Sequence, residues 1–304
     1  KKFIASYPDN KHVTDAWNQL YNLSTLRFDS ASIQKFIYLF PDHPLQTRIG
    51  NDLELFHINA SVIKNDDAYG LMIDSTEKMF PEYSYIDSFS NGLAEFERID
   101  STSQKTVAGY LNKRGEEVMS PQFSFASLFQ NITAYVATGW CDDDACGYIF
   151  INRFGKKINA NIYDNVYGFQ EGYFLVQRDN RYGYVDDSAR EIIPCSFSDA
   201  NLFYDSIAAV GNGNLFGFIN YDGKVFINYQ YKAALHFSEG LAAVQDTSTG
   251  LWGFINTNGE MVIKPLYVSA GFFNNGKAKV FLKPKTDGAL PKEIFINKLG
   301  KAVK

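Results

Sequence analysis

Tyr231-Lys232-Ala233-Ala234-Leu235-His236-Phe237-Ser238-Glu239-Gly240-Leu241-Ala242-Ala243-Val244, followed after a polar loop by Trp252-Gly253-Phe254-Ile255-Asn256-Thr257-Asn258-Gly259, is the stretch on which the fold turns. Its opening pattern, an aromatic, two residues, a small or β-branched residue, two residues and then Phe, occurs six times. The copies are Tyr83, Ile86, Phe89; Phe123, Ala126, Phe129; Tyr163, Val166, Phe169; Phe197, Ala200, Phe203; Tyr231, Ala234, Phe237; and Tyr267, Ala270, Phe273. A spacing of three fits neither a strand nor a sustained amphipathic helix. It predicts a tight coil or single helical turn that crosses between strands and places its rings in the core.

Three residues past each Phe stands a turn position, filled by Gly92, Gly172, Gly240 and Gly276, with Ile132 and Ser206 in the two degenerate copies. Alternation of a small and a larger apolar residue follows, as in Ala242 and Val244 or Ala94 and Phe96, which predicts a strand with one buried face. A second strand carries aromatic-Gly-aromatic-aliphatic-Asn/Asp, and its copies recur 34 to 41 residues apart. Asn or Asp then opens a hairpin with Gly three residues on, at Gly115, Gly155, Gly223, Gly259 and Gly300, the chemistry of a type I turn closed by a left-handed residue. An aliphatic third strand such as Met261-Val262-Ile263 completes the unit.

This order of motifs closely resembles the WG-repeat family, also called KWG repeats, from about Ala60 to Lys304. Only Trp252-Gly253 keeps the Trp-Gly pair of the family; elsewhere Tyr, Phe, Ala or Cys precedes the Gly, and two copies lose the Gly. The expected fold is mainly β, with tandem antiparallel repeats forming a β-propeller-like ring; the alternative is an open β-solenoid. A ring removes exposed sheet edges, while the missing crossing segment of the last unit counts against closure. Residues 59–304 would hold six full units and a truncated seventh.

Residues 1–58 differ in kind. Lys2-Phe3-Ile4 through Pro8-Asp9 return as Lys35-Phe36-Ile37 through Pro41-Asp42, and Val13, Ala16, Trp17 and Leu20 share one helix face. This predicts a small α-helical hairpin that resembles tetratricopeptide-like repeats, particularly those of bacterial envelope lipoproteins, or else a helical cap on the β array. Lys1 leads straight into Phe3 and Ile4 with no cap residue before them, which suggests the trimmed part of a longer chain. Both features imply a bacterial cell envelope location, periplasmic or outer-membrane associated.

The net charge of −5, without a block of five like charges, argues against a nucleic-acid partner, and no apolar run reaches the length of a membrane span. The 26 Phe and 19 Tyr favour strands. His12, His43, His57 and His236 have no neighbours at metal-ligand spacing, and no motif calls for a cofactor or metal. Gly211-Asn212-Gly213-Asn214 links two strands, so it predicts a hairpin loop and not a phosphate cradle. Cys141 and Cys146 flank three aspartates; a disulfide between them is expected in an oxidising compartment, ahead of cation binding by the aspartates. Cys195 reads as a small buried hydrophobe.

No serine elbow, His and Cys pair or carboxylate pair set by strand geometry is present, so enzyme activity is not expected, although residues from several repeats could converge without a motif. The leading expectation is a non-catalytic protein-binding or scaffolding module. The second is glycan binding through exposed aromatics, for which Tyr167, Tyr204 and Tyr221 are the candidates.

Overall fold

The computed structural model describes residues 4, 6, 10–66, 68–137, 147–284, 286 and 289–303. Cys141 and Cys146, with their expected disulfide, lie outside the described residues. The chain forms two compact units, Lys1–Ile162 with Asp187–Ala189, and Tyr163–Asp186 with Arg190–Lys304.

The first unit opens with helices α1 (Val13–Ser24), α2 (Ser30–Leu39) and α3 (Gln46–His57). Asp29 caps α2 by accepting from the Ser32 backbone N–H at 2.6 Å, the ordinary use of an Asp at that position. The helices bury Tyr21, Ile33, Phe36, Leu45, Ile49 and Leu55 in one cluster. Val13, Ala16, Trp17 and Leu20 are half-buried, whereas the neighbouring Tyr21 is fully buried. Sheets follow: β1 (Ala60–Asn65), β2 (Ala68–Ile73) and β3 (Thr76–Phe80); β4 (Tyr83–Ile86), β5 (Leu93–Ile99), β6 (Thr106–Asn112) and β7 (Glu117–Phe123); then β8 (Phe125–Ala126), β9 (Thr133–Ala137) and β10 (Tyr148–Asn152).

The second unit holds the sheet β11 (Asn165–Gln170), β12 (Tyr173–Arg178), β13 (Arg181–Asp186) and β14 (Glu191–Phe197), and the sheet β15 (Asp199–Ala200), β16 (Ala208–Gly211), β17 (Phe216–Ile219) and β18 (Val225–Tyr231). A seven-stranded sheet ends the chain: β19 (Ala233–Ala234), β20 (Leu241–Gln245), β21 (Trp252–Asn256), β22 (Met261–Asn274), β23 (Lys277–Leu282), β24 (Lys292–Asn297) and β25 (Ala302–Val303). All described strand pairs are antiparallel neighbours in sequence, so the fold is mainly β and built of tandem meanders.

The aromatic-x-x-Ala-x-x-Phe segment contributes the first strand of each sheet, and in the copies ending at Phe89, Phe129, Phe203 and Phe237 it leaves that strand as coil before the Phe, as predicted. Where the strand runs on to the Phe, the spacing of three comes from bulges. In β22, Tyr267 faces Leu282, Ser269 faces Phe281, Ala270 faces Val280 and Phe273 faces Ala278, with register shifts on both sides of the Ser269–Ala270 pair. Each bulge inserts one residue into a period of two, so Tyr267, Ala270 and Phe273 all turn toward one core. Tyr267 also faces Trp252 on the other side, so a single residue ends one copy and starts the next. In β7, β14 and β18 the anchor aromatics Phe123, Phe197 and Tyr231 are likewise the last residues of their strands.

A second correction concerns burial. Leu241, Ala242, Ala243 and Val244 are all buried, so this strand is covered on both faces and not on one. Ala242 and Val244 belong to one core, while Leu241 and Ala243 belong to the next. One contact repeats within the cores: the third-strand aromatic meets the anchor Phe of the following copy edge-on. The ring centroids are 5.0 Å apart for Tyr110–Phe129, Phe218–Phe237 and Phe254–Phe273 alike, at interplanar angles of 61–63°.

The hairpins follow their sequence chemistry. Asn256 Oδ1 accepts from the backbone N–H groups of Asn258 and Glu260, each at 3.0 Å, and Gly259 takes φ +80°. Asn256→Ala removes both bonds together with the 2.7 Å bond from Nδ2 to Glu260, and is expected to lower unfolding free energy by about 1 kcal/mol in a urea titration. Asn212 Oδ1 accepts from Asn214 and Leu215 N–H in the same way, which makes 211–215 a hairpin loop.

Candidate functional site

The hairpins of the first unit bring basic side chains to α3. Lys113, one residue past Asn112, donates to the Ile58 carbonyl at 3.2 Å, and Arg114 pairs with Glu54 at 2.7 Å. Arg153, one residue past Asn152 in the next hairpin, does something different. It is 9% exposed, and its guanidinium lies 3.3 Å from the centroid of the Phe28 ring. Its Nε and Nη1 are buried with no hydrogen-bond partner among the described residues. Burial pulls the guanidinium down to about 10, the nearby Asp52 charge opposing this.

Phe28 itself holds φ +45°, a conformation that a bulky residue rarely adopts. Gly92 makes room for that ring: a Cβ on Gly92 would stand 2.8 Å from Phe28 Cδ1. Phe28 stacks in turn on Phe56 at 4.9 Å. Beside this arrangement lies a cavity of about 280 Å³ whose lining includes Arg153, Arg48, Asp52, Leu55, Leu93 and Val118. Arg48 is already engaged, donating to Asn18 Oδ1 and Asn22 Oδ1, each at 2.5 Å. Asp52 accepts from the Tyr21 hydroxyl at 2.8 Å; burial, then this carboxylate, raise the Tyr21 pKa.

Nothing in the sequence separates Arg153 from the surface residues at the same turn position. Its setting comes from helices contributed by a distant part of the chain. A second buried ionisable group, Glu95 on β5, also escaped the sequence reading. It is 4% exposed, its Oε1 is unpartnered among the described residues, and burial pushes its carboxyl up to about 8, with Glu97 and Asp87 adding to the rise.

The predicted surface aromatics occupy two places. Tyr167 is 49% exposed, lies against Tyr182 and donates to Gln177 Oε1 at 2.8 Å. Tyr204 opens the hairpin 204–207 and Tyr221 reaches the same turn through Glu171; both are half-buried, where the sequence suggested exposure. Tyr221 packs on Tyr173 and Phe203 and donates to Glu171, whose carboxylate also accepts from the Asp205 and Ser206 N–H groups. Tyr204 packs tilted against His236 at 4.2 Å, and His236 against Phe272 at 4.8 Å, giving an aromatic row over consecutive copies; burial lowers the His236 pKa. Cys195 is half-buried, where the sequence suggested full burial, and burial pushes its thiol up to about 11. No group of three His, Cys, Asp or Glu able to hold a metal occurs among the described residues, and no described helix is long and apolar enough to cross a membrane.

With bulged first strand, Gly-aromatic third strand and Asn-x-x-Gly hairpin established, a family model settles the repeat. The model of the WG containing repeat matches residues 150–182, 182–216, 216–247 and 252–283. Residues 150–283 are WG-containing repeats. Among solved structures, the chain is similar to a eukaryotic initiation factor, at 9% identity and TM-score 0.42 over 81% of this chain and 86% of that one. It is similar to Hsv2 of Kluyveromyces lactis, at 10% identity and TM-score 0.37 over 78% and 94%. It is also similar to the β-propeller domain of the trilobed protease from Pyrococcus furiosus, at 12% identity and TM-score 0.36 over 70% and 82%. No curated protein matches the sequence.

The WG repeats account for the glycine of their name. Between β21 and β22, Trp252 faces Tyr267 and Phe254 faces Ile263, so the fourth strand carries two extra residues opposite Gly253. The bulge, which contains Pro265, runs directly over the glycine, and a Cβ there would stand 2.5 Å from the Ile263 carbonyl oxygen. Gly217, Gly183 and Gly109 sit under equivalent bulges, and a Cβ on any of them would stand 2.6 Å from a backbone oxygen. The last copy has Ile294 at this position, and Ala302–Val303 pairs with Ile296 and Phe295.

Proposed function

We propose that the WG repeats serve as a non-catalytic protein-binding or scaffolding module of the bacterial cell envelope. The observation that supports it most is an apolar position repeated on the outer strands of the second unit. Phe226 of β18 and Val262 of β22, each just before a buried Ile of the core, are 44% and 45% exposed, and Val225 and Met261 beside them are exposed as well. Large apolar side chains exposed at the same place in consecutive copies form the kind of surface that protein partners cover. The envelope setting draws on the tetratricopeptide-like opening alone.

Capture from envelope extracts tests this reading. The wild-type chain should retain a defined partner, and the double substitution Phe226→Glu, Val262→Glu should lose it while keeping its fold by circular dichroism. Identical captured sets from the two chains would end the proposal. The row Tyr204, His236 and Phe272 favours glycan binding as a second reading, since neighbouring rings on adjacent copies suit the apolar faces of sugars. A glycan array on which every sugar stays unbound would remove it.

A further inference from the structure

We propose that the cavity of the first unit binds an organic monocarboxylate, with its head on the Arg153 guanidinium and its apolar body against Leu55, Leu93 and Val118. This site shares no residue with the repeat surface proposed above, so either can fail without the other.

The case rests first on Arg153. A buried guanidinium with unmet donors is costly unless an acceptor reaches it. Its contact with Phe28 satisfies one face of the plane and none of the N–H groups. Arg48 needs no ligand, since both of its terminal nitrogens donate to asparagines. Among the described residues Asp52 is the one carboxylate lining the cavity beside these two cations, which leaves one positive charge there without a counter-charge. One monoanion balances it, whereas a phosphate dianion would find one free cation and too few donors. The apolar part of the lining then selects an acid with a hydrophobic body over a small inorganic anion. The strained Phe28 backbone and the close fit of Gly92 hold the ring under Arg153, which fixes the guanidinium before any ligand arrives.

Such a carboxylate has two sources, a free small acid or the C-terminus of a peptide, and the probes separate them. Calorimetric titration of the whole chain would use benzoate and hexanoate, a short apolar peptide with a free C-terminus, the same peptide amidated, and inorganic phosphate. Binding of benzoate or hexanoate, or of the free-acid peptide but not its amide, is expected, and which of them binds names the source. Arg153→Met, which replaces the charge by an apolar chain of similar length, should weaken that binding by at least about tenfold, and Val118→Phe, which narrows the cavity while keeping Arg153, should weaken it comparably. Far-ultraviolet circular dichroism confirms that each variant folds. No binding by any carboxylate, binding of phosphate in preference to them, equal binding of the amide, or undiminished binding by folded Arg153→Met would each overturn the proposal.

Discussion

Gly253→Ala lowers the unfolding free energy by about 3 kcal/mol or more, while Gly271→Ala, on the same long strand system, changes it by less than about 0.5 kcal/mol. At Gly253 the new methyl would lie 2.5 Å from the Ile263 carbonyl oxygen and 2.8 Å from Pro265 N, both backbone atoms of a bulge that cannot swing aside. Relief requires the bulge to lift, which breaks the pairing of Trp252 with Tyr267 and pulls the anchor from its core. At Gly271 the nearest atom is 3.6 Å away, an ordinary contact. Urea unfolding followed by tryptophan fluorescence compares the two variants. Equal midpoints would show that the glycine of the Trp-Gly pair answers to something other than the crossing strand.

Glu95 makes the wild-type chain lose stability as pH rises from about 4.5 to about 8. In the unfolded chain this carboxyl ionises near its ordinary value; in the folded chain it keeps its proton up to about 8, because burial beside Ala94, Phe96 and Tyr110 disfavours the charge. Between those values the folded state binds more protons, so its advantage is complete below the lower value and is gone above the upper one. The difference amounts to about 5 kcal/mol across the window, and Glu97, also raised by burial, acts in the same direction. Glu95→Gln should flatten the profile and leave the variant more stable than the wild type at pH 8. Denaturation midpoints at pH 5, 6.5 and 8 decide it: a slope that persists in Glu95→Gln assigns the pH dependence to other groups. The equivalent positions in the other copies hold Leu175, Ala209 and Ala243, all buried, the half-buried Tyr135 and the exposed Lys279, none of them an acid, so the buried carboxyl is a local departure and not part of the repeat.

The repeat and its turns were legible because their chemistry is local. Asn256 and Gly259 need only each other and the intervening backbone to make a hairpin, and the small–large alternation of Ala242 and Val244 marks a strand in any context. The coil before Phe89, Phe129, Phe203 and Phe237 was legible, but the strand that precedes it was missed for a physical reason. A bulge changes the apparent period from two to three, and in sequence Tyr267, Ala270 and Phe273 then resemble a helical turn. The pairing that exposes the bulge involves Leu282, Val280 and Ala278, which carry no mark of it. Arg153 and Glu95 were illegible for another reason. One owes its burial to helices docked on its hairpin, and the other to a second covered face on a strand whose alternation promised only one.

That Tyr267 pairs with Trp252 on one side and Leu282 on the other has a bearing on how such a chain can grow. The boundary between copies is a single aromatic residue with no linker. A duplication whose ends fall at any two anchors therefore regenerates an anchor at the join, and the added segment arrives with a complete set of strands and with the edge-on ring partner its neighbour needs. Copy number is then free to drift by whole units while such junctions stay sound.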